Sequence, residues 1–144
     1  MRRCVVATIA MFAVVVASAS AAPKNRVYTG TTSDGTKVRL VASSFGNPTA
    51  FKIWPTEAVC DVGRLEIDAA KFTRFDTSDP GRFVDKRRSK TKDGNYLLRD
   101  TFKMAGQLTA DDGVWTGTYD KTTKVFKGGK LVDTCVVSTT WEAQ

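Results

Sequence analysis

Turn signals punctuate this chain at Asp34-Gly35, Asn47-Pro48, Asp79-Pro80-Gly81, Asp93-Gly94, Asp112-Gly113 and Gly128-Gly129. Glycine supplies positive φ and proline a fixed φ, so each pair marks a place where the backbone reverses. Between them lie short runs that alternate apolar and polar residues. "TKVRLVA" sets Val38, Leu40 and Ala42 on one face, with Lys37 and Arg39 on the other. "AFKIW" aligns Phe51 with Ile53, and "GRLEID" aligns Leu65 with Ile67. The closing "TCVVSTTW" aligns Cys135, Val137, Thr139 and Trp141. A period of two is the signature of strands with one buried face.

Two hairpins stand out. One turns at Asp34-Gly35; the other turns at Asp112-Gly113 and pairs Phe102 to Thr109 with Val114 to Tyr119. The competing helical signal is "DVGRLEIDAAKFTRF", where Leu65, Ala69 and Phe72 have helical spacing. It predicts at most a helical turn near Asp68 to Lys71. The fold class expected is all-β: one antiparallel β-sandwich or β-barrel with hairpin connections.

The first residues have the form of a secretory leader. Arg2 and Arg3 precede an uncharged apolar run from Cys4 to Ala17, and Ala19-Ser20-Ala21 fits an A-x-A cleavage pattern. The run is shorter than the roughly 20 apolar residues that span a bilayer. The expected division is a leader over 1–21, cut after Ala21, and a single all-β domain over 22–144. No transmembrane segment is expected in the mature chain. Cys60 and Cys135 remain after the cut, and an even count in an exported protein predicts a disulfide. Of the 22 basic side chains, Arg2 and Arg3 leave with the leader, so 20 face 15 acidic ones, a net charge of about +5.

The chain has no histidine. That removes Ser-His-Asp and Cys-His nucleophile systems and histidine zinc sites. No phosphate-binding G-x-x-x-x-G-K-[ST] loop or G-x-G-x-x-G fingerprint occurs. Neither a catalytic residue, a cofactor nor a metal site is predicted. Glu57, Asp61, Glu66 and Asp68 could supply a carboxylate pair, but Glu66 and Asp68 alternate with apolar residues as outward strand positions do. "DTSDPG" at 76–81 lacks the spacing of a calcium loop. Trp115 and Tyr119 share strand parity across Gly117. They are either a candidate aromatic ligand surface or core packing.

The densest charge lies in "GRFVDKRRSKTKDG", where Arg82, Lys86, Arg87, Arg88, Lys90 and Lys92 meet only Asp85 and Asp93. One reading is a solvated loop, or an edge strand whose lysines discourage pairing with other chains. The other is a site for a polyanion or acidic glycan. No nucleic-acid motif surrounds the run.

"YTGTTSDG" fits Y-x-G-x-[TS]-x-x-G, and the closing strand fits C-x-x-x-x-x-W. With "GQLTADDGVWTGTY" between them, the chain resembles a loose group of small secreted bacterial β-sandwich proteins, largely uncharacterised. The resemblance implies export and an all-β fold and transfers no catalytic residue. "GVWTGTY" is also similar to a strand of avidin-type barrels, but it lies late in this chain. The function expected is a non-enzymatic binding or cell-envelope-associated module with an anionic or glycan ligand. A secreted inhibitor or effector that binds another protein is the alternative, followed by a carboxylate-dependent hydrolase.

Overall fold

The computed structural model describes residues 24–77, 79, 81–109 and 112–144. The leader and its expected cut lie outside the described residues, as do Ser78, Pro80, Ala110 and Asp111 of two expected turns.

Ten strands form one antiparallel sheet. They are β1 (Arg26–Thr32), β2 (Lys37–Ala42), β3 (Pro48–Ile53), β4 (Thr56–Cys60) and β5 (Gly63–Ile67). Then come β6 (Ala70–Phe72), β7 (Arg82–Asp93), β8 (Tyr96–Leu108), β9 (Trp115–Lys127) and β10 (Lys130–Ala143). Across the sheet they run β6-β3-β2-β1-β10-β9-β8-β7, with the β4–β5 hairpin attached to β10 beside β1. Both predicted hairpins form, as β1–β2 and as β8–β9. The segment with helical spacing instead forms β5 and β6. Its pairing of Phe72 with Phe51 of β3 outweighs a weak local preference.

The sheet is open and curled, a half-barrel rather than two stacked sheets. The aligned faces read from the sequence turn inward. Leu40, Phe51 and Ile53 from one arm pack with Met104, Trp115, Tyr119 and Trp141 from the other. Phe51 and Trp141 ring centroids lie 4.9 Å apart. Full burial of one such side chain contributes roughly 1.5–3 kcal/mol. Phe83 and Trp141 pack closely against Gly106 and Gly117, their cross-strand partners. A Cβ at Gly117 would stand 2.5 Å from Trp141 Cζ2, and one at Gly106 2.3 Å from Phe83 Cε1. Leu65 departs from the expected buried face. It is 43% exposed while Ile67 is buried, because β5 borders only β4.

Cys60 and Cys135 form the expected disulfide. They sit directly opposite each other on β4 and β10. The bridge thus fastens the side hairpin to the closing strand, where the ladder itself supplies only the Cys135–Cys60 and Val136–Val59 pairs.

The open edges, β6 and β7, are joined by a short clasp. Asp76 and Val84 exchange both backbone hydrogen bonds at 3.1 Å. The Arg87 guanidinium donates to the Arg74 carbonyl at 2.7 Å and lies over the Phe72 ring.

Candidate functional site

Strand alternation divides the basic stretch between two faces. Odd-numbered residues of β7 face inward, beginning with buried Phe83, and even-numbered ones face out. Arg82, Lys86, Arg88, Lys90 and Lys92 are therefore exposed on the outer face. Arg87 sits on the inner face, away from them. Its Nη2 stands 2.8 Å from Asp85 Oδ2. That contact is Coulombic, since the aligned hydrogen bond from Nη2 goes to Arg74.

Neighbouring strands extend the outer cations. Lys86 lies directly opposite Lys103 of β8, and Lys90 directly opposite Arg99. Arg99 in turn lies opposite Lys124 of β9. Lys90, Arg99 and Lys124 are thus three like charges on one rung, all exposed. Like charges directly opposite are destabilising. In water, two unit charges 5 Å apart repel by about 0.8 kcal/mol. The outward acid on these three strands is Asp120, opposite Lys103, and it accepts a hydrogen bond from Ser138 at 2.7 Å. Arg99 is also held over the Phe126 ring, 4.6 Å from its centroid.

The inner face below carries a second set of charges. Asp100 accepts hydrogen bonds from Thr123 at 2.6 Å and Ser89 at 3.0 Å, and Lys121 Nζ stands 3.6 Å away. Burial, together with the negative charge of Asp100, pushes the Tyr119 phenol well above its ordinary value. Trp115 and Tyr119 are 0% and 1% exposed. They belong to the core and present no surface to a ligand.

The remaining acids are scattered. Glu57 faces Glu66 across the exposed β4–β5 hairpin and pairs with Arg64 at 3.0 Å. Asp76 uses its backbone in the clasp with β7. Asp34, at the tip of the first hairpin, organises a hydroxyl network. Thr32 and Thr56 donate to its carboxylate, the latter at 3.0 Å, and Thr36 donates to Thr56 at 3.2 Å. Burial works to raise the Asp34 carboxyl, but these hydroxyls and the backbone N–H groups of Asp34 and Thr36 outweigh it. They hold it below the ordinary aspartate value.

Arg99, Lys103 and Lys124 are the outer-face residues that the sequence reading missed. A signal for two of them was present. Counting back from the Asp93-Gly94 turn, Asp93 pairs with Tyr96, which places Arg99 opposite Lys90 and Lys103 opposite Lys86. No protein-family model, curated protein or solved structure matches this chain. Among the described residues no helix is long and apolar enough to cross a membrane.

Proposed function

We propose that this chain is an extracytoplasmic, non-enzymatic binding module that holds an acidic glycan on the outer face of β7, β8 and β9. The observation that carries the reading is the unneutralised rung Lys90–Arg99–Lys124, with Arg88 two residues along β7 and the Lys86–Lys103 pair four residues along, where Asp120 stands opposite Lys103. Lysines on an edge strand such as β7 have an ordinary explanation in discouraging strand addition. That explanation does not reach Arg99 and Lys124, which sit on strands paired on both sides. A local rule broken inside a sheet, with no compensating acid, is characteristic of a binding site.

The face suits a chain with regularly spaced charges. Alternate residues along β7 are roughly 6.6 Å apart, and neighbouring strands roughly 4.8 Å. Outward Thr101, Thr116, Thr118, Thr122 and Gln107 add hydrogen-bonding groups suited to sugar hydroxyls. The Cys60–Cys135 disulfide and the leader-like first residues support an oxidising, extracytoplasmic setting.

The test is retention of the mature protein on immobilised acidic and neutral polysaccharides at 20 mM and 150 mM salt. The triple variant Lys90→Ala, Arg99→Ala, Lys124→Ala runs beside it. Acidic glycans should hold the wild type at 150 mM salt and release the variant, and neutral ones should hold neither. Equal behaviour of the two proteins, or no retention at 150 mM salt, would sink the reading.

A further inference from the structure

Two neighbouring rungs of the outer face form a two-by-three array. Arg88, Thr101 and Thr122 make one rung; Lys90, Arg99 and Lys124 make the next. Four cations therefore border two hydroxyl side chains that have no hydrogen-bond partner among the described residues. An open hollow of about 720 Å³ lies over them. The Arg99 guanidinium is steadied on Phe126, so its N–H fork is presented in a restricted set of directions. Asp100 also borders the hollow, but its carboxylate is engaged by Ser89, Thr123 and Lys121. Positive charge and hydroxyl donors remain for a ligand.

The shape of this donor set discriminates among anions. A carboxylate is planar and presents two oxygens, which one guanidinium fork satisfies. A phosphate or sulfate ester presents three terminal oxygens pointing in different directions. Arg88 and Arg99 sit diagonally on adjacent strands with Thr101 and Lys90 each beside both, and Thr122 sits beside Thr101 and Lys124. We infer that the hollow seats a tetrahedral oxyanion ester, phosphate or sulfate, carried by the acidic glycan, and that it selects esterified polymers over uronate polymers. This rests on the glycan-binding reading above. A polynucleotide fits less well, because the one aromatic ring at the hollow, Phe126, is half-buried under Arg99 and offers no open face for stacking a base.

The experiment measures affinity of the mature protein for a sulfated, a phosphorylated and a uronate polysaccharide of matched charge density at 150 mM salt. Single-stranded DNA is included as a fourth polyanion. The key variant is Thr101→Val with Thr122→Val, which keeps every charge and suits a strand; Thr101→Ser with Thr122→Ser keeps the hydroxyls. Wild type should prefer at least one esterified glycan over the uronate by about tenfold, the size of one charge-assisted hydrogen bond. The valine variant should lose that preference while still binding the uronate, and the serine variant should keep it. The ratio of the sulfated to the phosphorylated arm identifies which ester is seated. Equal affinity for ester and uronate, or a preference that survives in the valine variant, overturns the ester site and leaves the glycan face standing. Tighter binding of DNA than of any glycan overturns the glycan as occupant. Absence of binding to every polyanion overturns both proposals together.

Discussion

Replacing Lys124 by glutamate should stabilise the fold and weaken polyanion binding in the same molecule. Lys124 lies directly opposite Arg99, with Lys90 on Arg99's other side. Two unit charges about 5 Å apart in water repel by about 0.8 kcal/mol. Long side chains splay outward, so about half of that is a fair cost for the native pair. Reversing the sign removes the repulsion and adds an attraction of similar size. The swing is about 1 kcal/mol, within the range for cross-strand charge pairs. For a domain of this size that corresponds to about 4 °C in Tm. The Debye length shrinks from about 30 Å at 0.01 M salt to about 3 Å at 1 M, so the gain should nearly vanish at 1 M. Lysine and glutamate both fit strands poorly, so propensity does not confound the comparison. Thermal unfolding of wild type, Lys124→Gln and Lys124→Glu at 0.01 M and 1 M salt reads these terms, with glutamine in between. A glutamate variant less stable than wild type at low salt, or one whose gain persists at 1 M, would refute the reasoning about the rung. A stabilised variant that still holds acidic glycans would separate the rung from the binding site.

Other outcomes follow from the inner face, the first hairpin and the disulfide. Arg87→Ala should leave polyanion affinity within about twofold of wild type, because Arg87 faces inward, yet cost about 2–3 kcal/mol in urea unfolding by stranding Asp85, whose side chain is 10% exposed. Equal loss of binding in Arg87→Ala and Arg88→Ala would contradict the division of faces. The Asp34 carboxyl, held below its usual value, contributes stability above its unfolded pKa near 3.8 that is lost as pH falls through the folded one. Stability should therefore fall more steeply below pH 4 in wild type than in Asp34→Asn, and parallel pH profiles would show that the hydroxyl network contributes nothing. Replacing Cys60 and Cys135 with serine releases a closure spanning 75 residues and should cost about 4 kcal/mol, measured by urea unfolding under non-reducing conditions. A loss below about 1 kcal/mol would mean that the β4–β5 hairpin holds to β10 without its bridge.

Alternation and turn chemistry carried most of the fold in plain view. Val38, Leu40, Phe51, Cys135, Val137 and Trp141 were legible as core residues because each lies on a strand whose inner face is fully covered. Leu65 was misread for the complementary reason. Its strand has the right period but lies in a side hairpin beyond the curled sheet, and periodicity reports parity without reporting what covers a face. The curl itself was hidden. The close approach of Phe83 to Gly106 and of Trp141 to Gly117 likewise joins residues far apart in the chain and follows from strand order. Trp115 and Tyr119 show the same limit, since shared parity suits a ligand surface and a core equally well until the opposite arm is placed.

The basic stretch is the clearest case of a feature that is visible in sequence and misleading in one dimension. Six cations in eleven positions read as a single cluster, yet a strand separates neighbours onto opposite faces, and Arg87 becomes part of the clasp between β6 and β7. What concentrates charge on the outer face is register. Lys90 meets Arg99 through the tight Asp93-Gly94 turn, and Arg99 meets Lys124 through the longer connection around Asp112-Gly113. The first pairing is countable from the turn; the second is not, because a longer connection does not fix which residues face each other. The difference matters for function. On β7 alone, lysines protect an edge and need no ligand. Arg99 and Lys124 join the rung from strands that have no edge to protect, and the proposed anionic partner rests on that difference.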